Sequence, residues 1–246
     1  MIFLEIAGLA KRHGDRAALD GVSLSVPPGQ FVALVGPSGS GKTTLLKSIN
    51  RLVEPDGGTI ALEGRDVREL PLAALRHGIG YVIQSVGLFP HMSVAENIGI
   101  VPRLMGRVGE DRTAELLELV ALPRDMASRY PRELSGGQAQ RVGFARALAA
   151  GPKLMLMDEP FGALDPVTRD SLGRAYRALH DRLGLTTLMV THEIAEALLL
   201  ADRIVVLIEG RIRADGTAAA LLAHADPDVT AMIDVPRRQA ERLASL

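Results

Sequence analysis

Residues 31–44 read FVALVGPSGSGKTT. A short apolar run ends at a glycine, a small polar loop follows, and Lys42-Thr43-Thr44 opens a helical stretch. Nothing else in the chain narrows the fold as much. The continuous apolar run reads as a buried strand of a parallel sheet, covered on both faces. Four more segments have the same look: 79–84, 153–160, 186–192 and 203–212. Helical patterns fall between the strands, at 41–50, 111–122, 136–150 and 166–183. Strands alternating with helices predict an α/β fold with a mostly parallel sheet core. With 47% hydrophobic and 23% charged residues among 246, the chain can bury a sizeable core.

Two regions depart from that alternation. The first 30 residues and 56–70 carry short strand patterns and turns (PDGG, LEGRD), which predict an antiparallel β layer. Residues 85–150 have helical patterns only and read as a helical subdomain inserted in the core. Ser93 with Glu96 three residues on forms a capping-box signature, and Gly151-Pro152 marks a helix stop. The expected division is one domain over 1–225 and a mixed, charged tail over 226–246 in which no domain is evident.

Composition excludes several classes. A net charge of −1 gives no global basic excess of the kind that points to nucleic acid. The absence of cysteine rules out a disulfide framework and a thiolate metal site. The N-terminus lacks the basic, apolar and small-residue segments of a secretory signal. The apolar runs fall short of the about 18 residues a membrane span needs. The expectation is a soluble, cytosolic chain that meets a membrane only through a partner.

The loop after the first buried strand matches G-x-x-x-x-G-K-[ST], with Gly36, Gly41, Lys42 and Thr43 in place and Pro37, Ser38, Gly39 and Ser40 between them. Glycines let backbone N–H groups turn inward around phosphate oxygens, and the N-terminus of the helical stretch that runs on through Thr44 adds partial positive charge. Lys42 suits the β- and γ-phosphates, and the Thr43 hydroxyl suits Mg²⁺. Asp158, at the end of the apolar run LMLMD, emerges where a sheet's C-terminal edge binds ligands. Glu159 follows and can orient or deprotonate an attacking water. The plainer alternatives are a glycine turn with a surface lysine, and solvated acids at a strand end.

A second glycine-rich helix start, LSGGQ, spans Leu134, Ser135, Gly136, Gly137 and Gln138. Ser135 can cap a helix whose positive end faces an anion. With GPSGSGKTT, Gln84 after an apolar strand, LSGGQ, LMLMDEP, GALD at 162–165 and His192 after LMVT, the chain resembles the ATP-binding-cassette (ABC) ATPases, over about residues 3–225. The resemblance implies a P-loop NTPase fold of ABC type, ATP and Mg²⁺ as ligands, and a head-to-tail dimer with a second cassette, expected to be identical. In that dimer Leu134–Gln138, Ser135 and Gly137 above all, would grip the γ-phosphate of an ATP held by the other chain's P-loop. Catalysis would fall to Glu159, His192 and Gln84. The metal would fall to Thr43, Gln84 and Asp158, and the dimer-crossing loop to Asp165. His13 stands where the family sets an aromatic against adenine; it either stacks with less contact or is a surface residue.

The finer resemblance is to importers of glycine betaine, choline and related osmoprotectants. It rests on YVIQSVGLFPHMSVAENIGIVPRLMG (81–106) and VPRRQAERL (235–243). It implies an integral membrane permease at the cytoplasmic face, docked near residues 85–97, and a periplasmic or lipid-anchored solute-binding protein. A paired regulatory module after the cassette, common in relatives, has no room before Leu246. The alternatives are an importer of another solute such as an amino acid, a non-transport ABC ATPase, and a P-loop kinase, which would have no use for LSGGQ.

Overall fold

The computed structural model describes residues 2–107 and 112–244. The chain divides into two compact units: one takes the residues up to Glu69 and again those from Leu188, the other is Leu70–Thr187.

The first unit opens with β1 (Leu4–His13), β2 (Arg16–Val26), β3 (Phe31–Val35), α1 (Lys42–Ile49), β4 (Gly57–Leu62) and β5 (Arg65–Asp66). Strands β2-β1-β4-β5 form the expected antiparallel layer, with Leu4 opposite both Val26 and Leu62. Leu4, Ile6 and Leu9 are buried. The step of three arises because the register shifts between Ile6 and Leu9, where an extra residue returns the apolar face inward. All five residues of β3 are buried, as a strand covered on both faces requires.

The second unit holds α2 (Leu72–His77), β6 (Ile79–Val82), α3 (Val94–Leu104), α4 (Thr113–Leu119), α5 (Gly136–Leu148), β7 (Leu154–Asp158), α6 (Pro166–Leu183) and the start of β8 (Thr186–Val190). Strands β6 and β7 run parallel, Tyr81 beside Leu156. Between them the described residues form helices and turns, with no strand. The expected capping box is present: the Ser93 hydroxyl accepts from Glu96 N at 3.2 Å and the Glu96 carboxylate accepts from Ser93 N at 2.7 Å. Helix α6 starts at the expected residue. Its Tyr176 ring stacks on Phe144 of α5 at 5.1 Å, and Tyr176 and buried His180 both hydrogen-bond Thr187 Oγ1. Of the helical stretch expected over 111–122, residue 111 lies outside the described residues, as do 108–111 of the helical insertion and 245–246 of the tail.

The chain returns to the first unit through α7 (Ile194–Leu200), β9 (Arg203–Ile208), β10 (Arg211–Gly216), α8 (Ala218–Leu222) and α9 (Pro227–Ala244). One expectation needs correcting here. The segment 203–212 is not one strand. Glu209 and Gly210 both take positive φ, +49° and +75°. That pair makes a tight hairpin turn, so the chain reverses into β10, antiparallel to β9. Strand β9 itself lies parallel to β3, with Ala33 beside Ile204. The tail, in which no domain was evident, carries α9. The Asp226 carboxylate accepts from Asp228 N at 2.9 Å at the start of α9, and Val229 and Ile233 bury where α9 packs on α7 and α8. Val229 and Ile233 stand four residues apart, the spacing of one helix face. Among the described residues no helix is long and apolar enough to cross a membrane.

Candidate functional site

The first unit carries the phosphate-cradle residues. Gly36 leaves β3 with φ +151°, and a Cβ there would lie 2.0 Å from Leu207 O. Gly41, the N-cap of α1, has φ +104°, and its Cβ would lie 2.1 Å from Ala18 O. Backbone packs against both positions, so only glycine fits. The hairpin missed in the sequence supports this loop: Gly210 N donates to Ser40 O at 3.0 Å. Lys42 is buried, and its ammonium donates to Gly36 O at 2.7 Å and Pro37 O at 2.9 Å. No side chain caps α1. The helix start therefore offers its backbone donors to an anion. Glycine loop, seated lysine and side-chain-free helix start together fit a nucleotide's phosphates.

Also in the first unit, His192 follows β8 on an exposed turn. Thr191 beside it is buried: its N–H donates to Leu34 O at 3.1 Å, its hydroxyl donates to Glu196 Oε2 at 2.7 Å, and its Oγ1 accepts from Glu193 N at 3.0 Å. The residue before His192 is thus tied to the strand that leads into the glycine loop. His13 is exposed at the end of β1, opposite Arg16 across a hairpin.

The second unit carries the carboxylates. Asp158 ends the fully buried β7 and is itself buried, 9% exposed. Glu159 has φ +46°, uncommon for a residue with a side chain, which turns the chain sharply just past the strand. Gln84 Nε2 donates to Glu159 Oε2 at 2.8 Å. Two residues that the sequence assigned to catalysis are thus bonded to each other. On the adjacent strand the Tyr81 phenol is pushed up to about 12, by burial first and by the Asp158 charge second. The segment after Gln84 is strapped to α5, since Arg146 donates to Val86 O and Gly87 O, each at 2.6 Å.

The LSGGQ stretch starts α5 as expected. Ser135 Oγ accepts from Gln138 N at 3.2 Å, and Gln138 Oε1 accepts from Ser135 N at 2.9 Å. This reciprocal box leaves the Ser135 hydroxyl proton available to an outside acceptor. A cleft of ≈ 470 Å³ opens beside it, lined by Ser135, Gly137, Arg141, Asp165 and Thr168 among others. Asp165 caps α6, accepting from Val167 N at 3.1 Å and Thr168 N at 3.0 Å. The bonds from Thr168, side chain first, hold its carboxyl below the usual range. The sequence separated Asp165 from LSGGQ by 27 or more positions, and only the fold brings them to one cleft. Thr168 and Arg141 were not foreseen; an N-cap aspartate with threonine three residues on was the one available signal.

A family profile described as ABC transporter matches residues 19–162, more than half of the chain. The chain belongs to the ABC transporter family. This cassette is 50% identical over 214 residues to the glycine betaine/carnitine/choline transport ATP-binding protein OpuCA of Bacillus subtilis (strain 168), covering 86% of this chain and 56% of that protein. It is 48% identical over 225 residues to the glycine betaine uptake system ATP-binding protein YehX of Escherichia coli (strain K12), covering 90% and 73%. The cassette thus spans little more than half the length of the first of these relatives. Among solved structures, a dimeric bacterial ABC transporter cassette superimposes with a TM-score of 0.78 at 33% identity, over 87% of this chain and 98% of that one. A dimeric post-hydrolysis cassette bound to ADP and Pi gives the same values.

Proposed function

We propose that this chain is the ATP-hydrolysing motor of an importer, with one cassette over 1–225 and the helical subdomain 85–150 inserted in it. The observation that carries the reading is Glu159, a carboxylate just past buried Asp158 and hydrogen-bonded to Gln84. A fixed carboxylate beside a metal-binding aspartate suits a base that polarises the water attacking a γ-phosphate. Gly36 to Thr44 bind the phosphates, and Lys42 exchanges its loop carbonyls for phosphate oxygens. Thr43, Gln84 and Asp158 would hold Mg²⁺, which supplies neutralising charge when bound. Their donor set of one hydroxyl, one amide and one carboxylate is hard oxygen chemistry, which fits that ion. His192 faces the γ-phosphate as a polarising donor. Ser135 and Gly137 complete the site of a second, identical chain, with Asp165 at the crossing, so two cassettes form a two-fold dimer around two ATP.

The dimer drives a permease at the cytoplasmic face, fed by an extracytoplasmic solute-binding protein. The cargo read from the relatives is glycine betaine, choline or carnitine. Deleting the chain is expected to abolish ATP-dependent uptake of radiolabelled glycine betaine, restored by the wild-type chain and not by Glu159→Gln. Normal betaine uptake in the deletion strain would refute the cargo. A second reading has an observation in its favour: a sulfate/thiosulfate import ATP-binding protein of Chromobacterium violaceum is also 50% identical, over 218 residues. Loss of sulfate uptake with betaine uptake intact would select it.

A further inference from the structure

Arg16 begins β2, at the end of the hairpin where it faces His13. Its Nη2 donates to Gly39 O, inside the glycine loop, at 3.0 Å. The strand carrying it runs along that loop: Ala18 O, two residues on, is the atom that limits Gly41. No carboxylate pairs with the Arg16 guanidinium among the described residues. Two other acids of this layer are paired with other cations. Asp20 pairs with Arg211 at 2.6 Å, and Asp56 with Lys11 at 2.7 Å. Lys42, the loop's other cation, is turned in on the loop's own carbonyls. An exposed guanidinium on a phosphate loop, with one of five N–H donors spent on a carbonyl, holds its charge in reserve.

We propose that Arg16 is a second cation of the phosphate cradle and contacts a phosphate of the bound nucleoside di- or triphosphate. The proposal rests on the reading that residues 36–44 bind nucleotide. The Gly39 bond holds the guanidinium at the rim of the loop, and an incoming phosphate accepts its remaining donors. A charge-assisted bond of this kind is stronger than a neutral one. The competing role is a mechanical prop, in which Arg16 merely braces Gly39.

Charge and prop separate cleanly. Arg16→Gln keeps an N–H donor for Gly39 O and loses the charge; Arg16→Lys keeps a charge. Calorimetry with Mg-ADP and with a non-hydrolysable ATP analogue, on the full chain, reads both. For Arg16→Ala and Arg16→Gln the dissociation constant is expected to rise about tenfold, with Arg16→Lys in between. The deficit is expected to shrink at high salt, where the lost contact would have been screened. Arg12→Ala, on the same hairpin, serves as the control and is expected to bind as wild type. Wild-type affinity in Arg16→Gln would overturn the proposal and assign the prop; wild-type affinity in Arg16→Ala would overturn both. If Arg16→Ala fails to fold, the Gln and Lys variants still decide between them. Lys42→Ala tests the underlying reading by itself: loss of binding there with no loss in the Arg16 variants sinks this inference alone, whereas unchanged binding in Lys42→Ala sinks the nucleotide reading.

Discussion

The two glycine-rich helix starts look alike in sequence and are built oppositely. At α1 the N-cap is Gly41, left-handed and pressed against Ala18 O and the Leu19 side chain, with no side-chain cap hydrogen bond. At α5 the N-cap is Ser135, extended, with a reciprocal box to Gln138. Gly136, which follows it, has open space where a Cβ would stand. The first start has no side-chain cap, and its glycine-shaped backbone suits an anion. The second is satisfied before any ligand arrives, and offers a hydroxyl proton and a helix dipole. A self-capped start suits a surface that must stay folded while its partner is away; an uncapped one suits a site that holds ligand within its own chain.

The largest effect that could break this contrast comes from Glu159→Gln. The substitution keeps the shape and a hydrogen bond to Gln84 but removes the charge. ATP hydrolysis is expected to fall by a factor of about 10² to 10⁴, with ATP still bound. In the proposed dimer unhydrolysed ATP then bridges the two kinds of start, so the variant is expected to elute as a dimer with Mg-ATP and as a monomer with ADP. Adding Ser135→Arg is expected to return it to monomer. A dimer that survives Ser135→Arg would mean that the α5 start does not touch the nucleotide.

Next in size is Lys42→Ala. Removing the seated ammonium is expected to weaken Mg-ATP binding on the order of a hundredfold by calorimetry. Ser135→Ala in the monomer is expected to leave that affinity unchanged, since in the proposed dimer the α5 start acts on another chain's ligand. Equal losses in both would erase the distinction.

Stability gives a smaller and sharper test. Gly41→Ala places a Cβ against Ala18 O in a left-handed conformation, and is expected to cost about 3 kcal/mol in a denaturant titration, mostly unrelieved because the obstacle is backbone. Gly136→Ala meets nothing and is expected to gain up to about 0.5 kcal/mol. Similar values at the two glycines would show that the α1 start is no more constrained than the α5 start.

The same contrast explains what was legible in the sequence. Local patterns were readable: the buried run of β3, the capping box at Ser93, the start of α6 at Pro166. Residues with an apolar period or a cap announce themselves because the cause is within a few positions. The turn at Glu209-Gly210 was missed because the apolar run of β9 leads straight into it and Ile212 follows; positive φ at both positions marks the reversal. Helix α9 was hidden because its two demonstrably buried residues, Val229 and Ile233, sit one helical turn apart among charges. At the site, glycine spacing and strand-end acids were visible. The bond between Gln84 and Glu159, the approach of Thr168 to Gly137 (2.8 Å from a Cβ to Thr168 Cγ2) and the seat of Arg16 on Gly39 were not. Each joins residues far apart in the chain, and no local propensity encodes them.

The smallest expected effect isolates the α5 box. Gln138→Glu keeps the acceptor for Ser135 N and adds a negative charge at the positive end of the helix. The same box at α3 shows the direction: the backbone bond from Ser93, ahead of its hydroxyl, holds the Glu96 carboxyl below its usual range. A carboxyl lowered in the folded state stabilises above its unfolded pKa of about 4.3 and loses that contribution as pH falls. The melting temperature of Gln138→Glu is therefore expected to exceed wild type by about 1–3 °C at pH 7, and to match it near pH 3. The charge that favours the helix repels a phosphate. In the Glu159→Gln background, the ATP-dependent dimer is expected to weaken several-fold on sedimentation, and more at low salt than at high. A more stable monomer that pairs less well would show that the α5 start is complete without the anion it helps to hold. A more stable monomer with unchanged pairing would place the phosphate away from Gln138 and leave Ser135 and Gly137 to hold it by themselves.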